Sequence, residues 1–249
     1  APLHALDKTF QDIGIVLEPD LIKKDMGNRK DVHIRKILET TQCKEIWNDL
    51  NKRDFNEFDM EDLVLSYKKN QNNMVLQYND PLPHIKNTIN ILRRGYRLKI
   101  GSTTGYFRDT VDLIEKDLLT KNNIYFDATV AGDDVENGYR PRPYMIFKNL
   151  EKLNISPIQS IVKVDDTTAG ITEGLEAGCW TIGVSRWSSL MNFNDVEDDK
   201  LSTHELELRE GKVRDRLLEA GAHYVVPSIK NIPAVIEDIN RRLSDGVIP

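Results

Sequence analysis

Residues 97–106, with the sequence Arg-Leu-Lys-Ile-Gly-Ser-Thr-Thr-Gly-Tyr, constrain the fold more than any other stretch. The segment from Leu98 to Gly101 is typical of a short buried strand, and Phe107 begins an amphipathic helical pattern. The turn between them is rich in hydroxyl groups and backbone amides, which form an anion-binding site at a helix N-terminus. In an open parallel sheet this is also the edge where ligands bind. The stretch therefore predicts an α/β domain with an anion site after this strand.

Downstream of this stretch, short apolar segments alternate with helical patterns, which is typical of a parallel sheet with helices on both faces. The further strands are predicted at 126–131, 160–164, 180–184 and 224–226. No strand pattern precedes residue 97, and helical patterns begin with one at residues 2–16. Asp80-Pro81-Leu82-Pro83 is a linker signal. We therefore predict an all-helical domain at residues 1–80 and an α/β core domain at 81–249.

Composition excludes several classes of protein. The net charge is -6 and no basic stripe stands out, which argues against nucleic-acid binding. No apolar run is long enough to span a membrane. The two cysteines, Cys43 and Cys179, are far apart, give no disulfide framework and suit a reducing compartment. We therefore expect a cytoplasmic protein.

Two adjacent carboxylates, Asp165 and Asp166, follow the predicted strand at 160–164. Carboxylate oxygens at such a position suit Mg²⁺, which binds one or two carboxylates together with phosphate oxygens of a substrate. The alternative is an Asp-Asp turn that caps the following helix. The anion site predicted after the strand near residue 100, on the same sheet, favours the metal interpretation.

Two arginines, Arg140 and Arg142, stand just before the helix predicted at 142–153. A cation beside a phosphate group holds the anion and stabilises the charge that is transferred. A surface basic pair in a loop is the alternative, and the sequence leaves it open.

Lys30 and His33 are three residues apart in a helical pattern, so they share one helix face. A lysine forms a Schiff base only when it is neutral, which requires its pKa to fall from about 10.4 to roughly 7–8. The neighbouring Arg29 and Arg35 would lower that pKa and attract an anion. A solvated basic helix face is the alternative.

Motifs along nearly the whole chain resemble those of the phosphonoacetaldehyde hydrolases (phosphonatases) of the haloacid dehalogenase superfamily. They are residues 99–106, Arg140-Pro141 with Pro143 and Met145, residues 163–167, Glu173-Gly174, Trp180–Val184 and residues 220–225. Upstream, Met26-Gly27 with Lys30 and His33 matches the family's Met-Gly-x-x-Lys-x-x-His segment. The resemblance implies a Rossmann-like parallel core of haloacid dehalogenase type with an all-helical cap, and a homodimer formed through the cap helices.

The resemblance also implies a mechanism. Lys30 would form an iminium with the aldehyde of phosphonoacetaldehyde, His33 would move protons, and Met26 would line the pocket. An aspartate from the first core strand would take the phosphoryl group, and water would then release phosphate and acetaldehyde. The implied ligands of the phosphoryl group are Thr104, Gly105 and Arg140, and those of Mg²⁺ are Asp166 with Asp165.

The sequence departs from the family pattern at three places. The opening Asp-x-Ala-Gly-Thr strand that carries the nucleophile is not present, so we expect the first core strand to be missing from this chain. The family often has Gly-Asp-Thr with a second Asp four residues on, whereas this chain has Asp165 in place of the glycine and Gly170 at the later position. Tyr139 replaces a glycine before Arg140, which makes Arg142 a possible substitute. Another phosphatase or phosphomutase of the superfamily, or a non-catalytic homologue, is the alternative function.

Overall fold

A computed structural model of the chain describes residues 2–25, 28–136, 140–191 and 201–249. The α-helices are α1 (Pro2–Gln11), α2 (Pro19–Lys23), α3 (Lys30–Leu38), α4 (Thr41–Asn51), α5 (Glu57–Met74), α6 (Ile85–Gly95), α7 (Arg108–Asn122), α8 (Tyr144–Leu153), α9 (Thr168–Ala177), α10 (Thr203–Glu219) and α11 (Ile232–Ser244). The strands are β1 (Gly101–Thr103), β2 (Ala128–Val130), β3 (Val162–Asp165), β4 (Trp180–Val184) and β5 (Tyr224–Val226).

The chain divides into two compact units. Unit 1 comprises Ala1–Pro81, Thr104–Tyr125 and Ala131–Asp134, and unit 2 comprises Leu82–Thr103, Phe126–Val130 and Val135–Pro249. Unit 1 therefore contains the predicted cap and two further segments from the predicted core. The first break, after Pro81, falls within the Pro-rich linker signal.

Unit 1 is helical and is held together by apolar side chains that α1, α3 and α5 direct inward. Phe10, Ile34 and Leu63 belong to its buried core. The helix predicted over residues 2–16 is shorter than expected and ends at Gln11. The reason is a turn in which Gly14 has a φ of 81° and the N–H of Ile15 donates to the carbonyl of Phe10 at 2.9 Å.

Unit 2 contains parallel strands in two sheets, with strand orders β1-β2 and β3-β4-β5. Ile182 and Val184 of β4 and Ile236 and Ile239 of α11 belong to a buried cluster on the larger sheet. Among the described residues β1 and β3 are not paired with each other. A side-chain hydrogen bond links them instead, in which the Lys163 ammonium donates to the Thr103 hydroxyl at 2.7 Å.

Strand β1 begins later than the predicted strand segment from Leu98 to Gly101, and it includes Ser102 and Thr103, which the sequence pattern places in the turn. The shift has a local cause, because the N–H of Ile100 donates to the side chain of Asp127 at 2.7 Å. The strand ladder starts only at the next residue, where Gly101 pairs with Ala128. Thr103 is therefore the last residue of the strand, and Thr104 begins the turn.

None of the described helices has a stretch long and apolar enough to cross a lipid bilayer.

Candidate active site

Four buried charged side chains form an ion cluster in unit 2, at the carboxyl end of β3. The guanidinium of Arg140 lies 3.2 Å from a carboxylate oxygen of Asp165 and 3.0 Å from one of Glu173. The ammonium of Lys163 lies 3.3 Å and 2.8 Å from the same two oxygens. Each cation therefore contacts both carboxylates, and the four formal charges cancel.

Thr103 connects this cluster to the end of β1. Its carbonyl and its hydroxyl both accept from the guanidinium of Arg140 at 3.1 Å. Arg140 is 8% exposed, whereas Arg142 is exposed, so the structure brings Arg140 and not Arg142 to the cluster. Tyr139, on which the choice between the two arginines depended, lies outside the described residues.

The sequence analysis did not single out Lys163, Glu173 or Thr103 as site residues. Lys163 and Asp165 are two residues apart on β3, so their side chains share one face of the strand. That spacing is the signal that could have identified Lys163. Glu173 belongs to the Glu173-Gly174 motif of the family resemblance, which is the signal for it; it is fully buried and has one carboxylate oxygen without a hydrogen-bond partner among the described residues.

Asp165 and Asp166 differ in their surroundings. Burial acts to raise the pKa of Asp165, but Arg140, Lys163 and hydrogen bonds from Thr167 lower it to about 2. Burial, and then the Asp165 charge, raise the pKa of Asp166. Asp166 also accepts the backbone N–H of Ser189 at 3.0 Å.

These surroundings bear on the expected Mg²⁺ site. The Asp166 carboxylate is an oxygen ligand of the kind that Mg²⁺ prefers, and it is not in a salt bridge with a described residue. Asp165 is paired with two cations and accepts two hydrogen bonds from Thr167. Within the described ranges, no three His, Cys, Asp or Glu side chains are grouped so as to hold a metal ion. The described residues therefore provide one suitable ligand and not a complete Mg²⁺ site.

Lys30 and His33 lie in unit 1, on the first turn of α3. Lys30 is 2% exposed and His33 is fully buried, so the pair is not the solvated basic face that the sequence also allowed. Burial, and then the charge of Lys30, lower the pKa of His33 to about 4, which leaves its imidazole neutral at pH 7. Met26 and Gly27, the other residues of this predicted motif, lie outside the described residues.

Gly132 lies between the start of α3 and the turn after β1, all within unit 1. A Cβ atom at Gly132 would lie 3.2 Å from the carbonyl oxygen of Gly105 and 3.4 Å from Cγ of Arg29. The Gly132 N–H also donates to the carbonyl of Tyr106 at 2.9 Å. The structure therefore brings the helix that begins with Lys30 next to the predicted phosphate-binding turn.

The turn itself is ordered by local hydrogen bonds. The backbone N–H of Tyr106 donates to the hydroxyl of Thr104 at 3.2 Å. Asp133 accepts the backbone N–H of Arg108 at 2.8 Å and so caps α7, while Asp134 pairs with the Arg108 side chain. These two acidic residues therefore hold the first turn of α7.

A buried polar group next to this turn was not predicted. Tyr67 and Gln71, four residues apart on α5, are both fully buried. Burial raises the pKa of Tyr106 to about 12, with Gln71 acting in the opposite direction, so Gln71 lies close to the Tyr106 hydroxyl. The Tyr67 hydroxyl and both polar atoms of Gln71 have no hydrogen bond of ordinary geometry within the described residues. Gln71 also acts against the effect of burial on the pKa of Tyr67, so the three side chains form one buried polar group.

Comparison with known proteins gives consistent matches. The family model described as haloacid dehalogenase-like hydrolase matches residues 3–184. The chain is 36% identical to a phosphonoacetaldehyde hydrolase of Bacteroides fragilis, over 98% of this chain and 92% of that protein. It is 35% identical to a phosphonoacetaldehyde hydrolase of Parabacteroides distasonis, over 97% and 91%. A solved structure of a phosphonoacetaldehyde hydrolase-like protein from Oleispira antarctica matches with a TM-score of 0.93 and 31% identity, over 100% of this chain and 89% of that one.

Proposed function

Because the chain belongs to the phosphonoacetaldehyde hydrolase family of haloacid dehalogenase-like hydrolases, we propose that it hydrolyses the carbon–phosphorus bond of phosphonoacetaldehyde to acetaldehyde and phosphate. The observation that carries the proposal is the position of the buried Lys30–His33 pair on a helix that begins beside the Gly105 turn. A plain phosphatase has no use for an amine at that position.

Lys30 is the proposed Schiff-base residue. Its amine attacks the aldehyde carbon, and loss of water leaves an iminium ion. This cation accepts the electron pair of the carbon–phosphorus bond, so the two-carbon fragment leaves as an enamine. Protonation of the enamine carbon and hydrolysis then return the amine and release acetaldehyde. The reaction needs a neutral amine at the moment of attack, and Lys30, which is 2% exposed, is shielded from water that would compete for the aldehyde.

His33 is the proposed proton carrier for formation and hydrolysis of the imine. Proton transfer requires an imidazole with a nitrogen available to accept a proton. The neutral ring of His33, one helical turn from Lys30, meets that requirement at pH 7. Met26 is retained as a proposed pocket residue from the family motif.

The phosphoryl group is the second part of the proposed substrate. The hydroxyl of Thr104 and the backbone N–H of Gly105 are proposed to bind its oxygens, and Arg140 to balance their charge. Arg140 is suited to this role because contacts with Thr103, Asp165 and Glu173 fix its guanidinium. Asp166 is proposed as one ligand of Mg²⁺, which when bound would neutralise phosphoryl oxygens.

The phosphoryl acceptor in this proposal is an aspartate on a strand that precedes residue 1. Its carboxylate takes the phosphoryl group, and water then hydrolyses the aspartyl phosphate. Within the part of the chain that the structure describes, β1 and β3 each have one edge without a paired strand, and the backbone groups on these edges support such a strand. Phosphate release from phosphonoacetaldehyde should therefore require the upstream codons. If the extended chain is also inactive, a non-catalytic binding protein becomes the better interpretation.

Borohydride reduction tests the role of Lys30 directly. Incubation with phosphonoacetaldehyde and sodium borohydride should trap the substrate on Lys30 as the reduced imine, as read by mass spectrometry of peptides. Lys30→Ala should abolish both the label and hydrolysis. Lys36→Ala is the matched control, because Lys36 lies on the same helix but is exposed and pairs with Asp25. A Lys30→Ala variant that still hydrolyses the substrate would reject the Schiff base and favour another phosphatase or phosphomutase.

We also propose a homodimer formed through the helices of unit 1. Phe58 and Leu65 are 78% and 63% exposed, and their spacing of seven residues on α5 places them on one helix face. An exposed apolar face of this kind is typical of a protein interface.

A further inference from the structure

We propose that the carboxylate of Asp165 is a permanent counter-ion within the phosphate site. This carboxylate already balances Arg140 and Lys163, so a phosphoryl group meets a cluster with no surplus positive charge. The proposal rests on the proposed function for one point, the role of Arg140 in phosphate binding.

The charge balance of the cluster is the first argument. Arg140 and Lys163 contribute two positive charges, and Glu173 contacts both cations and contributes one negative charge. Without Asp165 one positive charge would remain for an anion from solution. Asp165 removes that surplus, with its carboxylate oxygen 3.2 Å and 3.3 Å from the two cations.

Gly170 is the second argument. A Cβ atom at residue 170 would overlap with the carboxylate of Asp165, so this carboxylate occupies the space of a side chain on α9. The Thr167 hydroxyl holds the carboxylate there at 2.8 Å, and the same hydroxyl accepts the N–H of Gly170 at 3.0 Å. Asp165 and Gly170 therefore depend on each other.

Binding of inorganic phosphate, measured by isothermal titration calorimetry, tests the proposal without substrate turnover. Asp165→Asn should bind phosphate about tenfold more tightly than the wild type, or better, because one buried negative charge beside Arg140 is gone. Asp238→Asn is the matched control. Asp238 also pairs with two cations, Arg241 and Arg242, but at the surface of α11, so its loss should leave phosphate affinity unchanged. Unchanged or weaker binding by Asp165→Asn would overturn the proposal.

Gly170→Ala provides a second test that keeps all charges. The added methyl group should displace the Asp165 carboxylate and tighten phosphate binding in the same direction. In an Asp165→Gly background the space is empty, so Gly170→Ala should then leave phosphate affinity unchanged. An equal effect in both backgrounds would contradict the proposed dependence. A wild type that binds phosphate but does not hydrolyse phosphonoacetaldehyde would count against the proposed function. The phosphate affinities of the Asp165 and Gly170 variants would still test the role of Asp165.

Discussion

His33 shows at the scale of one residue how a buried site controls protonation. Its ring has no hydrogen bond of ordinary geometry with a described residue. Burial is the largest cause of its lowered pKa, followed by the positive charge of Lys30, while Asp25 and the Ile22 carbonyl act in the opposite direction. The same burial that keeps the imidazole neutral, as the proposed proton transfer requires, also makes the fold sensitive to acid.

The stability of the protein should therefore fall as the pH decreases from about 6.5 to about 4. The pKa of His33 is about 4 in the folded protein, against an ordinary histidine value of 6.5, so the unfolded state binds the proton first. The shift corresponds to about 3 kcal/mol, which is present above pH 6.5 and lost as the pH falls through 4. Urea unfolding at a series of pH values between 7 and 4 measures this loss in the free energy of unfolding.

A His33→Gln variant should lose most of that pH dependence, whereas a variant of the exposed His204 should keep it. Equal slopes for His33→Gln and the wild type over this pH range would show that another group carries the acid sensitivity.

At the scale of elements, the approach of α3 to the Gly105 turn depends on the missing side chain of Gly132. A valine there would place its Cβ 3.2 Å from a backbone carbonyl, which has little freedom to move away. Gly132→Val should therefore cost about 1–3 kcal/mol of stability. It should also slow phosphate release at temperatures where the variant is fully folded, because Lys30 is displaced from the turn.

Gly211 provides the matched control for that substitution. It lies within α10, and a Cβ atom there would meet open space. Gly211→Ala should stabilise the protein by about 0.5–1 kcal/mol and leave hydrolysis unchanged. Thermal unfolding and phosphate release measured on both variants give the comparison. A fully active Gly132→Val variant would mean that the spacing of α3 from the turn is not critical.

At the scale of the molecule, the order of helices and strands could be predicted because each depends on local pattern. The five apolar β-segments of unit 2 are short and bounded by turns, so their positions are visible in the sequence. The α/β fold class predicted from them is confirmed by the family match and the solved relative.

Which segments of the chain make up unit 1 could not be predicted, because the grouping depends on contacts between residues far apart in the chain. The hydroxyl of Thr110 donates to Asn72 at 2.7 Å, and the Lys68 ammonium lies 4.0 Å from the centre of the Phe107 ring. These contacts join α5 to residues that follow β1, and no local pattern encodes them. The ion cluster has the same origin, since Glu173 reaches Arg140 across 33 residues.

The proposed homodimer is the prediction that involves the whole molecule. Burial of a large apolar side chain is worth about 1.5–3 kcal/mol, so replacement of both Phe58 and Leu65 by serine should weaken dimerisation by about a hundredfold or more. Size-exclusion chromatography with light scattering should then report the mass of one chain for the double variant and of two chains for the wild type. Leu208→Ser is the control, because Leu208 is 53% exposed on α10 in unit 2 and should leave the dimer intact. A wild type that is monomeric at micromolar concentration would contradict the dimer, and a dimer lost only in Leu208→Ser would place the interface on unit 2.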